Sequence, residues 1–304
     1  MNKTLLWYKQ RARRNFGVVS TTMGMLLLLV SPLAAFAQTS RTSAGDAAPA
    51  FVAAQGADAS LNWAGYVANK KGSTYTSVSA TWTVPKISTA STTGNSADAT
   101  WVGIGGVSSD DLIQAGTQAL VNNNRVTYQA WYELLPDYQT PIALAVHAGD
   151  SVSVSIHEVS ANNWEVIFIN NTTGQKYQKT FSYESARSSA EWIQEMPVGG
   201  SSRHLSYIPL DDFGSVTFVG ANAVVDGVAH LLGDLEATPL TMLGTRSQTL
   251  AVPSKLHADG SSFSVARTQG NNFSSTVRTR SAHPIDRDVY QTSNGTTVIK
   301  VMVW

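Results

Sequence analysis

The chain has 304 residues, 43% of them hydrophobic, with no cysteine, 14% charged residues and a formal net charge of zero. Without thiols there is neither a disulfide framework nor a thiolate metal site, and without a basic excess there is no electrostatic footprint for nucleic acid. The apolar content excludes a disordered chain, and the length suits one large domain or two small ones.

The zero charge is a sum of unlike parts. Residues 1–37 carry Lys3, Lys9, Arg11, Arg13 and Arg14 and no acid. Taking those five from 21 basic residues leaves 16 against 21 acidic ones, so the rest of the chain has a net charge of −5. After Arg14 an uncharged stretch runs to Ser40 with Met23–Val30 as its apolar centre, and Ala35-Phe36-Ala37 fits a small-x-small cleavage site. That order predicts a secretory signal over 1–37, with a weak twin-arginine look at Arg13-Arg14. The apolar run is shorter than the roughly 20 residues of a membrane span. The expected mature protein is exported, to the extracellular space or periplasm, and is free of the membrane once the signal is cut. Residues 38–60, rich in Ala, Ser, Thr, Gly and Asp, read as a propeptide or linker.

From Leu61 onward the chain alternates. Val78, Ala80, Trp82 and Val84 stand against Ser77, Ser79, Thr81 and Thr83, while Val152, Val154 and Ile156 stand against Ser151, Ser153 and Ser155. Trp164, Val166 and Phe168 continue the pattern, and Pro136-Asp137, Gly149-Asp150 and Asn170-Asn171 punctuate it. These are period-2 strands, a dozen or more of them, and no long helical period competes. The predicted fold is all-β, two antiparallel sheets stacked as a sandwich over 61–268. The C-terminal extension, 269–304, is too short for a second domain and is expected to end in a strand at Val298–Trp304.

The chemistry is narrowed by elimination. The six histidines are scattered, with no HExxH pair and no spacing for a local metal site, so no metal is expected. There is no GxSxG elbow and no phosphate loop, and the spacing of Gly103-Ile104-Gly105-Gly106 fails as a dinucleotide loop. No cofactor is implied. Alternation puts Trp101 with Gly103, Gln114 with Gln118, Trp131 with Glu133, and Glu191 with Glu195, each on one face of its strand. A single such face reads as solvated surface, but a sheet face mixing Trp, Gln and Glu suits a substrate groove if the strands are neighbours.

In order along the chain stand Asn62-Trp63-Ala64-Gly65-Tyr66, Ala80-Thr81-Trp82-Thr83-Val84-Pro85, Trp101-Val102-Gly103-Ile104, Ile113-Gln114-Ala115-Gly116, Ala130-Trp131-Tyr132-Glu133 and Ala190-Glu191-Trp192-Ile193. Together they resemble the glutamic peptidases, the eqolisin family of acid endopeptidases, over roughly 60–268. The resemblance implies a concanavalin-A-like sandwich, a secreted pepstatin-insensitive protease acting on polypeptides, and a catalytic Gln114–Glu191 pair. It places Trp101, Trp131 and Glu133 along the groove. Two positions depart from the fungal members, which carry Asp where this chain has Gly105 and Gln118. That suits a bacterial-type member and removes two nearby negative charges that would raise the pKa of Glu191. The family's pro-segment inhibits its precursor, yet 38–60 has only Arg41 against Asp46 and Asp58, a poor electrostatic clamp. Two rivals stay open on the residues alone: a glycoside hydrolase drawing a carboxylate pair from Glu133, Glu191 and Glu195, and a lectin-like module using Trp101 and Trp131 as sugar platforms. A monomer is the default expectation.

Overall fold

A computed structural model describes residues 51–89, 94–201, 204–244 and 248–268, with the backbone of two further strands at Val289–Gln291 and Thr297–Ile299. The predicted signal, the first part of the predicted linker and most of the C-terminal extension lie outside the described residues.

The strands run in chain order as β1 (Asp58–Ser60), β2 (Trp63–Ala68), β3 (Tyr75–Thr83), β4 (Ser96–Gly105), β5 (Leu112–Asn122), β6 (Arg125–Leu134) and β7 (Thr140–Pro141). There follow β8 (Ser151–Ser160), β9 (Asn163–Asn170), β10 (Gln175–Ser182), β11 (Ala190–Glu195), β12 (Val198–Ser201) and β13 (His204–Tyr207). The last are β14 (Ser215–Val225), β15 (Val228–Leu231), β16 (Thr238–Leu243), β17 (Thr249–Pro253), β18 (Phe263–Arg267), β19 (Val289–Gln291) and β20 (Thr297–Ile299). The single helical element among the described residues is a 3₁₀ turn at Leu232–Asp234.

Two layers result. The front layer is β7-β6-β5-β4-β11-β2-β16, paired antiparallel throughout. The back layer is β10-β9-β8-β3-β14, with β15 and β18 sharing the outer edge of β14. At one side β16, β17 and β18 run continuously from front to back and join the layers. β12 and β13 form a separate hairpin.

Turn chemistry sets the registers that matter. Asn123 and Asn124 both take positive φ (50° and 61°) between the paired residues Asn122 and Arg125. A two-residue hairpin needs that conformation at both positions, and asparagine adopts it more readily than most residues. This turn pins β5 to β6, so that eight residues along from the Asn122–Arg125 pair Gln114 faces Glu133. Asp226-Gly227 plays the same part between β14 and β15.

The predicted alternation is the inner lining. Val78, Ala80 and Trp82 on β3, Val152, Val154 and Ile156 on β8, and Trp164, Val166 and Phe168 on β9 are all buried. They pack against Val102, Ile104, Ile113, Ala115 and Trp192 of the front layer. A buried tryptophan removes about 150–250 Å² from water, roughly 4–6 kcal/mol before ordering entropy is set against it. Two indoles also stitch the layers: Trp82 Nε1 donates to Thr117 Oγ1 (3.0 Å) and Trp192 Nε1 to the Ser79 carbonyl (3.0 Å). With no cysteine, such packing is what holds the layers together.

The folded unit reaches upstream of Leu61. Ala54 N donates to the Pro253 carbonyl, Lys255 N donates to the Val52 carbonyl, and β1 runs parallel to β16. Downstream, β20 pairs parallel with β1, and β19 pairs with β20. No helix among the described residues is long and apolar enough to cross a membrane.

Candidate active site

The strands that carry the predicted site residues are consecutive neighbours in the front layer, and their registers line those residues up. Val67, Glu191, Gly103, Gln114 and Glu133 form one row across β2, β11, β4, β5 and β6. Two residues along lies a second row, Gly65, Ile193, Trp101, Gly116 and Trp131. A third holds Trp63, Glu195, Ala99, Gln118 and Gln129. Because strand side chains repeat every two residues, all three rows face the same way, outward from the inter-layer core.

Glu191 and Gln114 therefore stand two strands apart, roughly 10 Å between backbones at about 4.8 Å per strand. The residue between them is Gly103. A Cβ there would come within 2.9 Å of the Trp101 ring, 3.0 Å of Leu112 and 3.3 Å of Gln114 Cβ. Glycine there makes room for the Trp101 ring and Leu112, which close over β4 between the two flanking residues.

Gln114 and Glu191 are fully buried, each with 0% exposure. The Gln114 amide is keyed by its other neighbour: Nε2 donates to Glu133 Oε2 at 2.6 Å, and Oε1 has no partner among the described residues. Both carboxylate oxygens of Glu191 are likewise unpartnered. Buried polar atoms are almost always satisfied, so three orphan oxygens in one row point to a binding or reacting partner. Burial raises the Glu191 pKa well above its ordinary value; the nearby Ser189 hydroxyl opposes the shift without reaching hydrogen-bonding geometry, and the Asp111 charge adds to it. Burial also lifts Glu133 to about 7, against its bonds from Gln114 and the Gln139 backbone.

The second and third rows form the surroundings. Trp101 packs edge-on against Trp63 (4.9 Å, 78°) and donates Nε1 to Glu195 Oε2 at 2.7 Å, while Asn62 Nδ2 donates to Glu195 Oε1 at 3.1 Å. Burial pushes the pKa of Glu195 up to about 8, opposed chiefly by the Trp101 bond. Trp101 and Trp131 are 0% and 2% exposed, so neither offers an open face to a sugar ring. Gln118 donates Nε2 to Gln129 Oε1 (2.8 Å), two rows from Gln114.

Gly105 closes β4 at φ 96°, where a Cβ would meet the Asp111 carbonyl at 2.4 Å and Asp111 Oδ2 at 3.0 Å. With Gly105 and Gln118 in place of acids, the strand positions around Glu191 offer no nearby negative charge. A carboxylate is nevertheless present, supplied by Asp111 from the β4–β5 turn. Alternation sorts strand residues only, so it is blind to Asp111, and equally to Asn62 and Ser189, which lie just outside β2 and β11. Among the described residues no group of His, Asp and Glu is arranged to hold a metal ion.

The family model described as the Peptidase A4 family matches residues 61–267. Aspergillopepsin-2 of Aspergillus niger is 32% identical over 203 residues, spanning 59% of this chain and 69% of that protein. Scytalidopepsin B of Scytalidium lignicola is 32% identical over 198 residues, spanning 62% and 72%. Among solved structures, scytalido-glutamic peptidase with a transition-state analogue inhibitor aligns with a TM-score of 0.60 and 28% identity over 68% of this chain and 98% of that one. Aspergilloglutamic peptidase from Aspergillus niger aligns with a TM-score of 0.50 and 30% identity over 57% and 99%.

Proposed function

The chain belongs to the Peptidase A4 family and is a glutamic-type endopeptidase, and on that premise we propose that Glu191 is its general base and Gln114 its oxyanion donor. The observation that carries this reading is the row itself: a carboxyl and an amide, both buried, both with unpartnered oxygens, on either side of a glycine.

Peptide hydrolysis needs an activated water, a stabilised oxyanion and a protonated leaving amine. Ionised Glu191 takes a proton from water while the hydroxyl oxygen attacks the scissile carbonyl carbon. Gln114 Oε1 accepts the water's other hydrogen. The Nε2 hydrogen that is not committed to Glu133 donates to the carbonyl oxygen as negative charge gathers there. The protonated Glu191 then delivers its proton to the amide nitrogen, the C–N bond breaks, and an acid and an amine leave. Glu133 fixes which way the Gln114 amide points. Trp101, held by Glu195, walls the space over Gly103.

The pH dependence follows from the environment. A base must be ionised, so activity falls as pH drops through the Glu191 pKa, and burial moves that limb upward from the ordinary glutamate value. The polypeptide-cleaving activity is read on an unfolded protein substrate with pepstatin present. Glu191→Gln and Gln114→Ala are each expected to lose about 100-fold or more while staying folded. Wild-type turnover in either folded variant rejects the assignment. Export is part of the same reading, carried by the basic-apolar-small order of residues 1–37. N-terminal sequencing of protein recovered outside the cell tests it: a start shortly after Ala37 or later supports cleavage, and an intact Met1 refutes it.

A further inference from the structure

We propose that Asp111 is a positioning residue for the general base, fastening the segment that leads into β11 and setting a carboxylate beside Glu191. The inference rests on the assignment of Glu191 above. The segment 183–189 has no regular structure, yet it delivers Glu191 to its row two residues later. Its bonds are shared among several elements: Tyr75 N of β3 donates to the Arg187 carbonyl (2.9 Å), Tyr183 N donates to the Asn162 carbonyl (2.9 Å), and the β4–β5 turn with the strand ends beside it supplies the rest of the main links. Asp111 Oδ2 accepts from Ser185 Oγ (2.8 Å) and from Ala186 N (2.8 Å). Ser109 Oγ lies 3.1 Å from Ser188 Oγ, Gly105 N donates to the Ser189 carbonyl (3.1 Å), and Leu112 N donates to Tyr183 Oη (2.8 Å). One carboxylate oxygen taking two donors from consecutive residues is the strongest of these links, because hydrogen bonds to charged groups exceed neutral ones.

The site is also built to admit this carboxylate. Gly105, two residues from Gly103 on the same strand, has its missing Cβ position 3.0 Å from Asp111 Oδ2, so a larger residue there would displace it. The ionisable groups around Glu191 are few. Tyr75 on β3 feels its charge, Glu133 lies beyond Gln114, and Glu195 is further along β11. The nearest cation in sequence, Arg187, is turned to Glu158 at 3.2 Å. Asp111 is the carboxylate whose charge bears on Glu191, and among the described residues no basic group counters it there.

The test compares pH profiles of kcat/KM for the full chain. Asp111→Asn keeps an acceptor for the segment and removes the charge, so the acid limb should move to lower pH by roughly half a unit to one unit. Asp111→Ser, also uncharged and able to accept from Ala186 N, should move it the same way and decides the matter if the Asn variant does not fold. Ser185→Ala loses one tether and no charge, and should leave the limb in place. Asp111→Ala should lose both tethers, lowering kcat about tenfold or more with KM little changed, as expected when positioning is impaired. An unmoved limb in folded Asp111→Asn or Asp111→Ser, with only a lower melting temperature, overturns the proposal and leaves a purely structural aspartate. Glu191→Gln run alongside separates the two readings. If it stays active, the base assignment and this inference fall together; if it is dead while the Asp111 limb does not move, only this inference falls.

Discussion

Glu191 and Glu195 sit four residues apart on one face of β11, and both are shut away from water. Their carboxyls are treated oppositely. At the Glu195 end each oxygen has a donor, one from Asn62 and one from the Trp101 indole, and the group works as an anchor for the wall of the site. At the Glu191 end neither oxygen has one, and across a glycine waits an amide whose own oxygen is also unclaimed. Neither burial nor a lack of partners marks a reacting carboxyl by itself, since both Asp211 oxygens are also buried without a hydrogen-bond partner; what sets Glu191 apart is the unclaimed amide in its own row. The contrast also bears on a carbohydrate-cleaving pair, because Glu195 is already spoken for.

The sharpest way to break the comparison is to turn each carboxyl into its amide. Glu191→Gln should cost about 100- to 10,000-fold in kcat with the melting temperature held, whereas Glu195→Gln should stay active with a changed melting profile. Similar activity losses at both ends would erase the distinction.

A second test uses stability against pH. Glu133 and Glu195 have folded pKa values raised from 4.5 to about 7 and about 8. The folded state binds their protons more tightly than the unfolded chain, so their contribution is complete below about pH 4.5 and is lost as pH rises towards about 8. Glu195 alone accounts for something on the order of 5 kcal/mol over that window, at about 1.4 kcal/mol per unit. Asp98 and Asp211, buried side by side, have their pKa values raised as well and add in the same direction. Thermal melts from pH 4 to 8 should show the midpoint falling steadily, and Glu195→Gln should flatten part of the slope. A midpoint that rises over this range would contradict the buried, neutral carboxyls.

Truncation gives a smaller effect. Glu195→Ala strands the Trp101 and Asn62 donors in a dry site, at about 1–3 kcal/mol each by chemical denaturation. Glu191→Ala strands no donor among the described residues and should cost less, the reverse of the order in activity. Smallest of all, Gly103→Ala should cost about 1–3 kcal/mol through its clash with Trp101 and Leu112 and should lower kcat by intruding between the pair. Unchanged kcat there would mean that the space over β4 is not where the chemistry happens.

Much of this was legible in the residues, for reasons that can be named. The side chains of a strand alternate with a period of two, so Val78-Ala80-Trp82 and Trp164-Val166-Phe168 declare their buried face wherever they stand in the molecule. The same rule sorted Gln114, Glu133 and Glu191 onto outward faces, and the ordered motifs around them pointed to the family that comparison then established. Gly149-Asp150 and Asn170-Asn171 likewise mark breaks between strands, just before β8 and at the end of β9.

What residues alone do not state is which strands are neighbours, because pairing joins segments far apart in the chain and leaves no local trace. Only the tertiary structure put β11 beside β4, brought Glu191 into the row of Gln114, and set Gly103 between them under Trp101 and Leu112. It alone showed that both indoles are walls rather than platforms, and that a turn aspartate stands where the strand positions offered no charge. Sequence by itself determined the period, the punctuating turns and the chemical types available; the register of distant strands decided which of those types meet. The reason is physical: side-chain alternation is local and survives in any context, while desolvation, orphaned oxygens and shifted pKa values are properties of neighbours.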